Sequence, residues 1–482
     1  MFHEMFSDLG FLNKLERTNY EFEPEKKRGC IKMKLVDRKG MVEIERVTME
    51  EIGIPSLVLM ERAALCVYQQ IVKRAKKSDR IIAVCGNGNN GADGIAVARM
   101  LKDAGFDAEV LLVGDIDKGT EQLKLQYKIA SKLGVKFIPK YTLHTYNIVI
   151  DAMFGIGLNR AIFGEYQSII QTINEEHAFV YAVDTPSGVN VDNGEIMNVA
   201  VKANVTVTFG YGKIGLYRYP ANLYVGDLYV EKIGFSDHCY DLVYEKNPEW
   251  NQYQTYELED LSRYPKRPQQ SHKGTFGTVL VVAGTRNMSG AAYFAAKSAM
   301  RMGAGLVKIM THEDNRVILQ TQLPEAVLVT YDEQMMQDEY EVERFTHEIS
   351  EADVVIAGPG LGKSNLSKQI LDLVLKTVKV PLVLDADGIN IVAEKLDQEC
   401  RGGLDDRIAR LQVLLPINTI LTPHIKEFSR LTAESTVSIM ANCLDMLDRC
   451  TYNNSLVFVV KDARTLVAKN NLRYINLSGN AA

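Results

Sequence analysis

GNGNNGADG (86–94) places four glycines, three asparagines and one aspartate directly after the apolar run RIIAVC (80–85). Glycine permits positive φ and close backbone approach to a ligand, and a helix N-terminus behind such a loop offers unpaired N–H groups to an anion. Gly86, Gly88 and Gly91 satisfy the G-x-G-x-x-G spacing of a dinucleotide loop, with Asp115 placed to serve as a ribose acid. The same glycines also suit plain strand–helix packing, but Asn89, Asn90 and Asp93 exceed what a turn requires. Two more loops are of the same kind. IDAMFGIGLNR (150–160) sets Asp151 at a strand end ahead of Gly155 and Gly157, and VDTPSGVN (183–190) does so for Asp184 and Ser187. Each aspartate alone reads equally well as an N-cap or turn residue. Three such loops on one rim of an open α/β sheet mark the place where a ligand binds.

The second half repeats the theme with other residues. HKGTFGTVLVVAGTRNMSGAAYFAAKSAMRMGAGLVKI (272–309) is a strand, a polar turn and an Ala-rich helix. Ser289 and Gly290 open that helix and are suited to a phosphate or sugar, whereas most of the segment is explained by packing alone. AGPGLGKS (357–364) is a glycine loop but not a Walker A, because Ala357 stands where that motif needs its first glycine. LDADGIN (384–390) places Asp385 and Asp387 at a strand end, and TPHIKEF (422–428) adds His424 and Glu427. Taken alone, His424 is better read as a residue at a helix start than as a ligand.

The elements that must position these loops alternate. RIIAVC (80–85), AEVLLV (108–113), YNIVID (146–151) and AFVYAVD (178–184) are short apolar runs, with helical stretches such as Ala92–Ala104 and Thr120–Leu133 between them. A second series runs through TVLVVAG (278–284), LVKIMT (306–311), DVVIAG (353–358), PLVLDAD (381–387), NTILTP (418–423) and LVFVVK (456–461). Strand–helix alternation predicts doubly wound parallel sheets. The expected division is an extension over 1–32, a domain over 33–245, a linker over 246–271 and a second domain over 272–482.

Composition narrows the class. The 482 residues are 46% hydrophobic and 24% charged with a net charge of −6, the balance of a globular protein and not of a nucleic-acid or anionic-membrane binder. No apolar run approaches the ~18 residues of a membrane span, and the first 32 residues lack a signal peptide's apolar region. The seven scattered cysteines never form C-x-x-C, which fits free thiols in a reducing compartment. A cytoplasmic protein is the expectation, with homo-oligomerisation left open.

The three loops of the first half resemble the NAD(P)H-hydrate epimerase family (the YjeF N-terminal domain), with its N-N-G-G-D, D-A-x-F-G-x-G-L and D-x-P-S-G patterns. GIPSLVLMERAA (53–64) resembles that domain's opening helices, and the likeness spans about residues 33–245. It implies a Rossmann-like doubly wound sheet that binds hydrated NADH or NADPH (NADHX, NADPHX) and a potassium ion. By that resemblance Asn89, Asn90, Gly91, Ala92, Asp93, Gly155, Ile156, Gly157, Leu158, Asn159, Arg160, Ala161 and Asp184 hold the substrate. Asn90, Asp151 and Ser187 are the implied K⁺ ligands, and their oxygens are hard donors suited to that cation. Asp184, taken as an unpaired strand-end carboxylate, is the expected proton-transfer group at the hydrated C6, with Asp93 next in line. Ala92 stands where the family has a second glycine, and its methyl group is expected to narrow the loop.

HKGxFG, GPGLG, LDAD and TPHxxEF together resemble the ADP/ATP-dependent NAD(P)H-hydrate dehydratase family, whose fold is ribokinase-like. That likeness implies that ADP or ATP, with Mg²⁺, phosphorylates the hydrate's hydroxyl and that elimination restores the ring. Ser289, Gly290, Ala291, Gly360 and His424 are then the implied hydrate residues, and Lys461, Asp462, Ala463, Arg464 and Thr465 the nucleotide residues. KDART (461–465) departs from the family's K-G-A-G-T, and Asp462 is expected to bring negative charge where a phosphate approaches. The sequence ends at INLSGNAA (475–482), ahead of the family's G-[ST]-G-D loop with its anion site and base. The expectation is a ribokinase-like domain lacking its last elements, in a chain that epimerises the hydrate but does not dehydrate it. Three other readings account for fewer of these residues. An NAD-dependent oxidoreductase leaves Asp151, Ser187 and the second domain without a role. A ribokinase-type small-molecule kinase needs the same missing loop, and a non-catalytic binding scaffold does not need four converging polar groups.

Overall fold

The computed structural model describes residues 31–139, 145–257, 267 and 270–477, so residues 1–30 of the expected extension lie outside the described residues. The chain divides into two compact units, the boundary falling between Thr255 and Tyr256.

In the first unit the strands are β1 (Ile31–Val36), β2 (Arg80–Cys85), β3 (Asp107–Leu112), β4 (Lys136–Ile138), β5 (Ile148–Ala152), β6 (Phe179–Val183), β7 (Val205–Phe209), β8 (Gly212–Lys213), β9 (Asp227–Glu231) and β10 (Gln252–Glu257). Seven of them form a parallel sheet in the order β4-β3-β2-β5-β6-β7-β9. A strand buried on both faces alternates its side chains between two cores. In β2, Ile81, Ala83 and Cys85 join the core beneath the helices Ser56–Val72 and Asn89–Asp103. Ile82 and Val84 point to the opposite face, beneath the helix Glu165–Glu175. β1 pairs with β8 apart from this sheet, in the register Leu35 to Gly212 and Val36 to Lys213. β10 lies inside the stretch read as a linker from sequence. Its QYQTYE alternates, and Tyr253 and Thr255 are buried.

The second unit holds β11 (Thr278–Val282), β12 (Leu306–His312), β13 (Val327–Tyr331), β14 (Val354–Ala357), β15 (Leu382–Leu384), β16 (Ile420–Leu421), β17 (Val457–Val460), β18 (Leu466–Lys469) and β19 (Leu472–Asn476). Their order is β13-β12-β11-β14-β15-β16-β17-β18-β19, parallel as far as β17 and then antiparallel. Val281, Ala283, Val307 and Ile309 pack against Ala292, Ala296 and Leu319 on one face.

Each sheet reverses its winding once. The chain runs β2, β3, β4 toward one edge and restarts at β5 on the other side of β2; it does the same from β11 through β13 to β14. The crevice at such a switch point is where open α/β sheets bind ligands. The loops after β2 and β5 flank the first crevice, and those after β11 and β14 the second.

Candidate active site

In the first unit, backbone crowding explains the glycines. A Cβ on Gly91 would lie 1.9 Å from the Gly86 carbonyl oxygen, and one on Gly86 would lie 2.2 Å from that of Met153. The loop after β2 thus folds onto itself and against the loop after β5, where no side chain fits. The helix Asn89–Asp103 starts from Gly88, which supplies no capping side chain, so its first amides keep their capacity for an anion. Asn90 packs beside Gly155, whose Cβ would sit 3.4 Å from its Cβ and Cγ, and the buried Asn90 Nδ2 has no hydrogen-bond partner among the described residues.

Asp151 and Ser187 clasp the second loop to the third. Ser187 Oγ donates to Asp151 Oδ1 at 2.6 Å, and the Ser187 amide donates to Oδ2 at 2.7 Å. The Met153 amide adds a longer bond of 3.3 Å, and Ser187 Oγ in turn accepts the Phe154 amide at 2.9 Å. Asp151 is fully buried, and burial pushes its carboxyl up to about 6 despite these donors. All its donors are neutral. A fully buried carboxylate whose donors are all neutral lacks a countercharge, which a singly charged hard cation on its oxygens would supply.

Asp184 departs from the expectation. It is not unpaired: Lys213 Nζ lies 2.7 Å from its Oδ1, and Thr208 Oγ1 donates to the same oxygen at 3.0 Å. Its φ is +66°, a left-handed conformation that costs a non-glycine residue on the order of 1 kcal/mol and that clusters at functional sites. Asp93, half-buried on the helix after β2, is held well above the usual carboxylate range by burial first and then by the charges of Asp184, Glu45 and Glu61. The site therefore sets a lysine-paired carboxylate against one whose proton is held more tightly by burial and by neighbouring acids. Cys85, beneath them, has its thiol raised by burial and by Asp151 and Asp93, which makes it a packing residue.

Other predicted residues are placed differently from one another. Gly157, Asn159, Arg160 and Ala161 are exposed, and Asn89 is exposed at the helix start. The side chains of Ala92 and Leu158 are buried in the two cores and that of Ile156 packs on a third cluster, so these three can offer a ligand only backbone. The Ala92 methyl is directed into the core, and it does not narrow the loop as expected. Asp115 spends its carboxylate on the Asp117 amide, capping its own short turn, which removes the ribose acid of the oxidoreductase reading.

Sequence reasoning missed Lys213, Thr208 and Glu45. Lys213 is 1% exposed, and Glu45, on the helix Arg38–Arg46, is raised by burial and by the neighbouring Asp184 charge, with Lys213 opposing. A lone cation in the apolar run YGKIGLY (211–217) and threonines at alternate positions of VTVTF (205–209) were the available signals.

In the second unit, the loops after β11 and β14 interlock. The Gly284 and Thr285 amides donate to Pro359 O at 3.0 Å and Gly360 O at 2.7 Å. Gly360 sits at φ +59°, and a Cβ there would be 2.7 Å from that of Ala291. Ser289 begins its helix without a capping side chain, and Gly290 faces open space. Asp387 Oδ2 accepts the Gly362 amide at 2.8 Å, which ties the loop after β15 to this group. His424 is the N-cap of Ile425–Thr432. Its Nδ1 accepts the Lys426 and Glu427 amides and its Nε2 lies 3.2 Å from Glu427 Oε1, so both ring nitrogens are engaged locally. Lys461 bridges to His424 through backbone and pairs with Asp385 Oδ1 at 2.7 Å. Asp462 turns its carboxylate to the Ala463 amide, Thr465 donates to Asp462 O, and Arg464 donates to Leu477 O.

Residues 56–215 match the protein family described as YjeF-related protein N-terminus, and residues 279–482 match NAD(P)H-hydrate dehydratase. The bifunctional NAD(P)H-hydrate repair enzyme of Coxiella burnetii is 33% identical over 444 residues, spanning 91% of this chain and 84% of its own length. The chain belongs to the bifunctional NAD(P)H-hydrate repair enzyme family. An NAD(P)H-hydrate epimerase of Oenococcus oeni is 44% identical over 201 residues, which make up 41% of this chain and 96% of that protein. Among solved structures, the ADP/ATP-dependent NAD(P)H-hydrate dehydratase of Bacillus subtilis, co-crystallized with ATP/Mg²⁺, is 27% identical, covers 45% of this chain and 69% of its own, and has a TM-score of 0.35. The first unit is thus the epimerase domain of a repair enzyme and the second its dehydratase domain. Among the described residues no helix is long and apolar enough to cross a membrane.

Proposed function

We propose that the first unit interconverts the two C6 epimers of hydrated NADH and NADPH, with Asp93 and Asp184 performing the proton transfers. The observation that carries this reading is the meeting of unlike carboxyls at the sheet's rim, Asp184 paired with Lys213 at 2.7 Å and Asp93 raised by burial and by the neighbouring Asp184 charge. Environments that push two titratable groups apart are the mark of an acid and a base. Inverting C6 breaks its bond to the hydroxyl and remakes it on the other face. Asp93 gives its proton to the departing hydroxyl, which leaves as water, and the ring-nitrogen lone pair spreads the positive charge left at C6. The Asp184 carboxylate stabilises that charge and takes the proton of the water that adds to the opposite face; solvent returns it to Asp93. The uncapped N-terminus at Asn89 and the loop Gly155–Ala161 are suited to the dinucleotide's phosphates and ribose.

Asn90, Asp151 and Ser187 are the residues we place around potassium, because Asp151 is buried with neutral donors only. A bound K⁺ would supply the missing countercharge and stiffen the joint between the two loops. In the second unit, Ser289, Gly290, Ala291 and Gly360 are suited to the hydrate, and His424 lines the same rim. Lys461, Asp462, Ala463, Arg464 and Thr465 are assigned to ADP or ATP with Mg²⁺. A small-molecule substrate, in the cytoplasm and without nucleic-acid or membrane partners, completes the reading. The test incubates the purified chain with one epimer of NADHX and follows the other by reversed-phase chromatography. Interconversion no faster than in a protein-free control refutes it.

A further inference from the structure

We infer that Lys213 is a positioning residue for epimerisation: it secures one oxygen of Asp184 and thereby leaves the other, charged, to face the reacting carbon. The inference rests on the epimerase reading above and deepens it.

The geometry is specific about which oxygen is used. An ammonium has three hydrogens, and Lys213 spends them on Asp184 Oδ1 at 2.7 Å, Thr208 Oγ1 at 2.8 Å and the Phe209 carbonyl at 2.9 Å. None remains for a substrate, so Lys213 is not itself the acid. On the carboxylate side, Lys213 Nζ, Thr208 Oγ1 and the Phe209 amide all converge on Oδ1. Oδ2 accepts no hydrogen bond among the described residues. The backbone contributes as well, because the Asp184 amide donates to Val207 O at 2.8 Å and holds the left-handed turn that presents the side chain. Thr208 and Phe209 come from β7, which pairs with β6, and Lys213 from β8, which follows β7 after two residues and pairs with β1, so regular elements hold the reactive group in place before the substrate arrives.

The charge balance explains why a lysine is needed there. The groups facing Asp184 are Lys213, Glu45 and Asp93, and both acids are raised partly by the Asp184 charge. Without the ammonium, three carboxyls would share one enclosed region with no opposite charge among them. A buried lysine whose side chain is 2% exposed would otherwise be a liability to the fold.

The experiment combines Lys213→Met, Asp184→Asn and the double variant in the full chain, with KM and kcat measured for NADHX epimerisation. The Asp184 carboxyl is followed by ¹³C NMR and assigned by its disappearance in Asp184→Asn. Lys213→Met is expected to lower kcat on the order of 10²-fold with KM changed by less than about threefold. It is also expected to shift the Asp184 carboxyl resonance at fixed pH, because the ammonium against Oδ1 is gone. In the Asp184→Asn background the same substitution adds less than about threefold, because its partner is already gone. Thr208→Val, which keeps the volume and removes one donor from Oδ1, replaces Lys213→Met if that variant does not fold, and the same dependence on Asp184 is expected. An unchanged carboxyl resonance overturns the inference, and so do kcat losses that multiply across the two sites. Wild-type protein that fails to epimerise while the carboxyl still responds to Lys213 refutes the epimerase reading alone.

Discussion

Asp184→Asn tests the charge at the centre of the proposed site. Asparagine tolerates the left-handed conformation at φ +66° about as well as aspartate, so the exchange adds little backbone strain. Its amide oxygen can still accept from Lys213, Thr208 and the Phe209 amide on the Oδ1 side. Two quantities change. Removing a positioned acid or base costs about 10²–10⁴ in rate, which is roughly 3–5 kcal/mol of transition-state stabilisation. Separately, the buried Lys213 ammonium loses its counterion. Breaking a buried pair costs about 3–5 kcal/mol, and the retained bonds to Thr208 and Phe209 O bring the expectation down to about 2–3 kcal/mol. Against a typical stability of about 5–15 kcal/mol the variant remains folded. Epimer interconversion measured by chromatography at saturating NADHX gives the first number, and the urea midpoint gives the second. Turnover within about threefold of wild type in a folded variant would refute the reasoning and move the proton transfer to Asp93.

As the proposed acid, Asp93 works in its protonated form, which is lost as pH rises through its raised pKa, so kcat/KM should fall on the alkaline side. Glu45→Gln removes a neighbouring negative charge, lowers that pKa and should move the alkaline limb to lower pH; a limb that stays put excludes Asp93. Asp151→Ala should abolish any K⁺ dependence of epimerisation, and KCl should raise the melting temperature of wild type but not of the variant, with tetramethylammonium chloride as control. Full activity with an unaltered K⁺ response would remove the cation from Asn90, Asp151 and Ser187. Gly91→Ala drives a Cβ to 1.9 Å from the Gly86 carbonyl, where only backbone could move aside. It should cost at least about 2 kcal/mol of stability and weaken NADHX binding, and an unchanged urea midpoint would contradict the crowding argument.

What could be read in the sequence was what chain neighbours determine. RIIAVC and the glycine loop behind it are contiguous, so β2, the turn and the helix Asn89–Asp103 follow from local pattern. The loops at 150–160 and 183–190 were visible for the same reason, and the switch point then brings all three to one crevice. The state of Asp184 was not visible. Its partners lie 24 to 29 residues further on, and whether a strand-end carboxylate is free or paired depends on where β8 returns. Motif likeness had a different blind spot, since it marks positions without distinguishing backbone from side chain. Ala92 and Leu158 belong to their motifs, yet both side chains are packing residues. β10 was hidden by its polar surroundings, although QYQTYE carries the period of two that buries Tyr253 and Thr255. The acid–base assignment therefore needed the one kind of contact that local pattern does not encode. A cation is brought back from a later strand to one of the two carboxyls, Asp184.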